Sequence, residues 1–228
     1  MSSSPPRSTT AHKFGGSSLR DAARIGRVVD IVMQREGRQV VVVSAMGGVT
    51  DALIELVELA GSGGETDAWR QRAAELERRH VATAEQLLGE HSGAACAQLA
   101  EDFAGLRELL HAQSLVGAVS PDLMGLIAGL GEIWSSRIVE SKLRSLGCDS
   151  SHLDAREVLV VRGAELGATV DWEETRRRMA ARCSEPGTVT VVPGFVARTI
   201  DGRVTNLGRN GSDYSCLLYT SPSPRDRG

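Results

Sequence analysis

Residues 39–50 have the sequence QVVVVSAMGGVT, and the rest of the predicted fold follows from this segment. Its first five residues form an almost continuous β-branched run, which is typical of a strand covered on both faces of a parallel sheet. The run ends in a turn with two adjacent glycines, and a helix is predicted directly after it over residues 51–59. Because ligands gather at the carboxyl ends of parallel strands, this turn is a candidate binding element.

A similar pattern lies near the start of the chain. A strand predicted over residues 11–14 runs into two glycines, and a helix is expected to begin at Ser18 with Asp21 and to stop at Gly37. The apolar positions of this helix recur at helical spacing, namely at Ala22, Ile25, Val29 and Val32. Two consecutive strand–glycine turn–helix units predict an α/β fold with a parallel sheet, in which both turns face one crevice.

The remaining elements continue the alternation of helices and strands. Helices are predicted over residues 69–88, 94–111, 121–146 and 172–183, and strands over residues 151–153, 158–161 and 188–192. A hairpin is predicted from residues 195–199 and 203–207, because Asp201 and Gly202 between them are typical hairpin-turn residues. The charged run at residues 70–79 is interpreted as a solvated helix face.

The composition excludes several classes of function. The 228 residues contain 26 Lys and Arg against 29 Asp and Glu, a formal net charge of −3, so no basic excess favours nucleic acid or an anionic membrane. The apolar runs are too short to span a bilayer, and residues 1–10 lack the apolar core of a secretory signal. We therefore expect a cytoplasmic protein with neither a membrane nor a nucleic acid as partner.

The four cysteines are scattered and form no CxxC pair. They are Cys96, Cys148, Cys183 and Cys216. A zinc or redox site needs ligands at short spacing, so no metal site is predicted, and we expect reduced thiols.

The first glycine turn is suited to a polyphosphate. Gly15 and Gly16 have no Cβ, so backbone N–H groups can approach an anion closely, and Lys13 places a cation beside them. The chain has no Walker A motif, and the absence of GxGxxG argues against a nucleotide-dependent oxidoreductase. From this motif alone, a tight turn without a ligand remains an open alternative.

Three further groups are candidates for binding. Ser44 and Thr50 offer hydroxyls in the second turn, with helix capping as the alternative. Arg209 lies in a glycine-flanked turn and presents a planar donor fork that matches a carboxylate, with a surface turn as the alternative. Glu132 follows Gly131 beside an apolar stripe, with a solvated helix acid as the alternative.

Together these motifs resemble aspartate kinases. Four segments occur in the order and spacing of that family, namely KFGGSS (13–18), VSAMGGVT (43–50), GE (131–132) and LGRNGSDYS (207–215). The resemblance covers residues 11–215, and Ser17 stands where the family usually has Thr. Residues 155–161 and 208–215 are especially similar to the kinase portion of bifunctional aspartokinase/homoserine dehydrogenases.

The resemblance implies the amino-acid-kinase fold, a three-layer αβα sandwich with a mainly parallel sheet. It also implies transfer of the ATP γ-phosphate to the β-carboxylate of L-aspartate, with ATP and Mg²⁺ entering as a complex. An aspartate carboxylate, with an ordinary pKa of about 3.9, is ionised at neutral pH, so it needs no general base. Catalysis then consists of positioning and charge neutralisation.

The resemblance also assigns roles to individual residues. Lys13 would stabilise the transferred phosphoryl group, and Asp213 would organise that lysine. Arg209 would bind the α-carboxylate of aspartate and Glu132 its α-ammonium group. The remaining roles are phosphate binding by Gly15, Gly16 and Ser17 and hydroxyl contacts from Ser44, Thr50 and Ser212.

The predicted domain organisation is a disordered leader (1–10), an incomplete kinase domain (11–215) and a non-native tail (216–228) that resembles a translated sequencing adapter. The family's Thr-Asp strand end, which helps to hold the nucleotide, has no counterpart in the sequence, and regulatory domains are absent. We therefore expect a C-terminally truncated fold with little activity, from a parent that forms homo-oligomers. Another acyl-phosphate-forming amino-acid kinase and a non-catalytic binding or assembly module remain as alternatives.

Overall fold

The computed structural model describes residues 9–62, 66–163, 169–182 and 189–207. The strands in these ranges are β1 (Thr9–Phe14), β2 (Arg38–Val43), β3 (Ser150–His152), β4 (Val160–Arg162), β5 (Thr169–Val170), β6 (Val189–Pro193), β7 (Val196–Thr199) and β8 (Val204–Asn206). The helices are α1 (Ala22–Met33), α2 (Val49–Gly61), α3 (Thr66–Leu88), α4 (Gly93–Val116), α5 (Pro121–Ala128), α6 (Leu130–Ser145), α7 (Ala155–Val158) and α8 (Trp172–Arg182). A 3-10 turn, Gly16–Leu19, follows β1.

The first sheet is parallel, as predicted. Its strand order within the described ranges is β1-β2-β6-β3, and every adjacent pair is parallel. Phe14 lies opposite Val43, and Val43 lies opposite Pro193, so the first three strands end at the same level. This shared level places the turns that follow them along one edge of the sheet.

Helices cover one face of this sheet and form the larger core. Val41 and Val43 on this face are fully buried against α1, α2 and α6. The four apolar positions predicted for α1 are all buried, at Ala22, Ile25, Val29 and Val32. Full burial of a Val or Ile side chain stabilises the fold by about 1.5–3 kcal/mol relative to leaving it exposed. The periodicity in the sequence therefore identified the packed face of α1 correctly.

The opposite face of the sheet packs against a second, smaller sheet that the sequence did not predict as a separate unit. Its strand order is β5-β4-β7-β8. Val42 and Val192 of the first sheet share a core with Val161 and Val196 of the second. The predicted hairpin is confirmed, because β7 and β8 pair antiparallel around Gly202, whose φ is +93°.

The helix predicted over residues 121–146 is two helices in the structure. The chain breaks at Gly129, which ends α5 and caps α6. A Cβ placed on Gly129 would lie only 2.5 Å from Cγ1 of Val196. The break therefore occurs where the chain passes close to the second sheet, a long-range contact that the helical pattern does not reveal.

Two other element boundaries differ from the prediction. The N-cap of α1 is Asp21 rather than Ser18, because the Asp21 side chain accepts a hydrogen bond from the Arg24 N–H. The strand predicted over residues 158–161 is displaced by the short helix α7, which Asp154 caps through the Arg156 N–H. In both cases a carboxylate satisfies a backbone donor at a helix start.

Several predicted segments lie outside the described residues. They include residues 1–8 of the leader and the whole tail at 216–228, together with Arg209, Ser212 and Asp213. β1 begins at Thr9, two residues before the predicted domain boundary. Among the helices that the structure describes, none has the length and apolar character needed to cross a bilayer.

Candidate functional site

The two glycine turns meet at the carboxyl ends of β1 and β2. The Ser44 N–H donates a 3.0 Å hydrogen bond to the Phe14 carbonyl, which joins the ends of the two strands. A Cβ on Gly16 would lie 3.0 Å from the Ala45 carbonyl oxygen, and a Cβ on Gly47 would lie 3.1 Å from the Gly16 carbonyl oxygen. Glycine is needed at both positions because the two backbones pack directly on each other. The predicted convergence of the two turns is thus observed.

The first turn places an exposed cation beside two glycines. Lys13 is exposed at the end of β1, and its Nζ lies 3.9 Å from the position that a Cβ on Gly15 would occupy. The Ser18 N–H bonds back to the Gly15 carbonyl at 2.9 Å, which closes the 3-10 turn. Ser17 is exposed on this turn. The arrangement is suited to phosphate oxygens, which need donors and positive charge together.

The second turn enters α2 through a glycine. Gly48 is the N-cap of α2 with φ +79°, and no side chain caps this helix. Ser44 and Thr50 are both half-buried. Their hydroxyl groups belong to the same turn at the carboxyl end of β2.

The start of α6 docks on the second turn. A Cβ on Gly131 would lie 2.8 Å from both Ala45 Cβ and Val49 Cγ1, so only glycine permits this approach. One turn further along, Ser135 Oγ donates a 2.7 Å hydrogen bond to the Ser44 carbonyl. Nothing in the local sequence identified Ser135, since a serine inside a helix most often contacts its own helix or solvent. The contact depends on the tertiary approach of α6 to β2.

Glu132 is a buried carboxylate at this junction. Its residue exposure is only 4%, which excludes the alternative of a solvated helix acid. Burial raises the pKa of Glu132 to about 8, although the N–H groups of Glu132 itself and of Ala45 donate to the carboxylate and oppose the shift. Oε2 has no hydrogen-bond partner within the part of the chain that the structure describes. Such a group is prepared to accept a cationic donor.

An aromatic cluster supports α6 behind Glu132. Trp134 stacks on Phe103 with ring centroids 4.3 Å apart, and the His80 ring meets the edge of Trp134 at 4.9 Å. All three side chains are buried. Burial lowers the pKa of His80 to about 4, so this histidine is neutral at physiological pH and acts as a packing residue.

The described chain returns to the same edge at Leu207. Its N–H donates to the Phe195 carbonyl at 2.8 Å, and Phe195 lies two residues beyond the end of β6. The neighbouring Gly194 N–H donates to the Val43 carbonyl at 2.8 Å, at the end of β2. Arg209 is two residues beyond Leu207 in the sequence.

A metal centre formed by the protein alone is not visible in the described ranges. No group of three or more His, Cys, Asp or Glu side chains in those ranges is arranged to hold an ion.

Sequence and structure comparisons agree with this geometry. Residues 8–220 match the model of the amino acid kinase family, and the chain belongs to that family. Its relatives within the family are aspartokinases. The chain is 34% identical over 218 residues to bifunctional aspartokinase/homoserine dehydrogenase 1, chloroplastic, of Zea mays, which covers 93% of the chain and 23% of that relative. It is 32% identical over 206 residues to the aspartokinase of Chlamydia trachomatis, covering 90% of the chain and 44% of that relative.

Solved aspartokinases share the fold. Escherichia coli aspartokinase III in complex with lysine and aspartate superposes with a TM-score of 0.82 at 27% identity, over 92% of this chain and 46% of that one. The same enzyme in complex with aspartate and ADP gives a TM-score of 0.81 at 27% identity, over 93% and 46%. The predicted fold and family resemblance are confirmed. The chain spans about a quarter of the length of the bifunctional relatives it matches.

Proposed function

We propose that this chain forms the substrate side of an aspartate kinase, which transfers the γ-phosphate of ATP to the β-carboxylate of L-aspartate. The observation that carries the proposal is the Glu132 carboxylate, buried beside the second glycine turn with Oε2 unpartnered among the described residues. An α-ammonium group supplies the positive donors that this carboxylate lacks. Membership of the family supports the kinase chemistry.

The reaction itself needs little from the protein beyond placement. A β-carboxylate oxygen of aspartate forms a bond to the γ-phosphorus, the bond from that phosphorus to the ADP oxygen breaks, and ADP leaves with the electron pair. No proton is transferred, because the carboxylate is already ionised at neutral pH. The enzyme therefore acts by aligning the two anions and neutralising their charge.

The residues divide between the two substrates. Lys13, beside Gly15, would neutralise charge on the transferred group, with Asp213 orienting the lysine. The phosphates would lie on Gly15, Gly16 and Ser17. Aspartate would contact Glu132 through its ammonium group and Arg209 through its α-carboxylate, with hydroxyl contacts from Ser44, Thr50 and Ser212. Mg²⁺ would enter as the counter-ion of ATP.

We propose a cytoplasmic location and a homo-oligomeric parent protein. The plant relatives are chloroplastic, and that property is theirs.

Glu132→Gln tests the aspartate site directly. We expect L-aspartate affinity, measured by calorimetric titration, to fall about tenfold or more, because a charged hydrogen-bonding partner of the ammonium group is lost. Succinate has the two carboxylates of aspartate without the ammonium group, so its weaker binding should be unchanged. Glu90→Gln, on an exposed 3-10 turn at Gly89–His91, is the matched control.

Two outcomes would contradict the assignment. Equal losses for aspartate and succinate would show that Glu132 does not recognise the ammonium group. Tighter binding of L-glutamate than of L-aspartate by the unmodified chain would favour a different amino-acid substrate for the same acyl-phosphate chemistry.

A further inference from the structure

Arg79 differs from the other arginines in the charged run at residues 70–79. Arg70 and Arg78 are exposed, as the prediction of a solvated helix face requires. Arg79 is half-buried, and its Nη2 donates to two backbone carbonyls, at 2.8 Å to Gly47 and at 3.1 Å to Arg20. A guanidinium shared between carbonyls makes charge-assisted hydrogen bonds, which are stronger than neutral ones.

The two acceptors belong to different glycine turns. Gly47 is in the second turn, and Arg20 directly follows the 3-10 turn that begins at Gly16. The Arg20 side chain also packs here, with Cγ 3.4 Å from the position of a Cβ on Gly47. One guanidinium therefore bridges the backbone of both turns at the point where they touch.

The helix that carries Arg79 is itself fixed to the other side of the site. The next residue, His80, is fully buried, and its ring packs on Trp134 and Phe103. Trp134 is two residues beyond Glu132 on α6. Through Arg79, α3 thus contacts both glycine turns. Through His80, it contacts α6, the helix that carries Glu132.

We propose that Arg79 is a positioning residue that holds the phosphate turn (residues 13–20) and the substrate turn (residues 44–50) at a fixed separation. The names of these turns rest on the proposed function. In-line transfer requires reacting atoms about 3–3.5 Å apart, so small changes in the distance between two bound anions weaken catalysis strongly. Two hydrogen bonds from one guanidinium nitrogen, Nη2, maintain this distance without contact to either substrate.

The test is amide hydrogen exchange of the ligand-free chain. Arg79→Met keeps the aliphatic stem and removes the donors, and Arg78→Met is the exposed control. The reporters are the Ser18, Ser44 and Val49 amides, which are hydrogen-bonded within or between the turns. In Arg79→Met we expect exchange at all three amides to be about tenfold faster, because charge-assisted hydrogen bonds to the turns are lost. Exchange at the β6 amides should be unchanged.

Arg79→Lys provides the second measurement. Its ammonium keeps the charge and can donate to carbonyls, but it lies on a shorter side chain than the Arg79 Nη2 that makes both bonds, so we expect exchange rates between those of the unmodified chain and Arg79→Met. This variant decides the question if Arg79→Met does not fold. Unchanged exchange in the turns, or an equal increase in β6 that reports general destabilisation, would overturn the proposal.

Saturating L-aspartate separates this proposal from the proposed function. In the unmodified chain we expect aspartate to slow exchange in both turns, whereas in Arg79→Met it should slow exchange only at residues 44–50. Slowing of both turns in Arg79→Met would contradict the tie. If aspartate affects no amide in the unmodified chain, the proposed substrate is wrong, and the ligand-free comparison still decides the role of Arg79.

Discussion

At the residue scale, Glu132 shows how a binding group can oppose stability. A carboxylate removed from water favours its neutral form, and the N–H groups that reach Glu132 compensate only in part. A bound ammonium group would favour the ionised form. The residue is therefore arranged for a ligand rather than for the stability of the empty chain.

Glu132→Gln should stabilise the empty chain at high pH. The pKa of Glu132 is raised from 4.5 to about 8 on folding, so its contribution to stability is full below 4.5 and is lost as pH rises through 8. We expect the substitution to raise the free energy of unfolding by roughly 1–3 kcal/mol near pH 9 and to have little effect near pH 5. Urea unfolding at both pH values measures this difference.

Glu90→Gln is the control for the pH-dependent stability of Glu132→Gln. Glu90→Gln should leave both unfolding curves unchanged, because that carboxylate is exposed. An equal effect of Glu132→Gln at the two pH values would show that titration of Glu132 is not its cause.

At the scale of elements, glycines determine how closely the site-forming segments approach. Gly16 and Gly47 allow the two turns to touch, and Gly131 allows α6 to pack on the second turn. Gly129 has the same role between α6 and the second sheet. The close contact at Gly129 lies where the predicted helix is divided into α5 and α6.

Gly131→Ala should damage the site through this packing. Its new methyl group would lie 2.8 Å from Ala45 Cβ and Val49 Cγ1, so α6 or the turn must shift. We expect a loss of about 1–3 kcal/mol in unfolding free energy, together with weaker aspartate binding. Thermal unfolding and the titration described above measure the two effects.

Gly105→Ala is the matched control, because a Cβ there meets nothing within 4 Å. Gly105 lies inside α4, and alanine should stabilise that helix by about 0.5–1 kcal/mol. Equal effects of the two substitutions would mean that packing at Gly131 does not limit the approach of α6.

At the scale of the whole molecule, the described elements bring Ser44, Thr50 and Glu132 to one edge of the first sheet, and the proposed contacts to ATP among the described residues lie in the first turn. We predict that residues 1–228 bind L-aspartate but form no acyl phosphate with Mg-ATP, because the contacts proposed for ATP lie in the first turn and include none to the adenine or the ribose. Trapping with hydroxylamine measures acyl phosphate directly. Production of aspartyl hydroxamate above a Lys13→Met control would contradict this prediction.

Local patterns were enough for most elements of the fold. The run at residues 39–43 predicted a parallel strand covered on both faces, and the periodicity of α1 predicted its packed face, because burial depends on the spacing of apolar side chains. The meeting of the two glycine turns was also predicted, because the carboxyl ends of parallel strands lie at one edge of the sheet. The second sheet was not predicted as a separate unit, although its hairpin was, because the pairing of β4 with β5 and β7 joins segments that are separated in the sequence.

The sequence of this protein specifies its strand–turn–helix units, its family resemblance and the residues that carry charge in the turns. The tertiary structure alone shows that Glu132 is buried against Ala45 and that Arg79 bridges Gly47 and Arg20. The physical reason is sequence separation. Hydrophobic periodicity reports contacts within one element, whereas desolvation of a carboxylate and hydrogen bonds between distant backbones depend on how separate elements pack together.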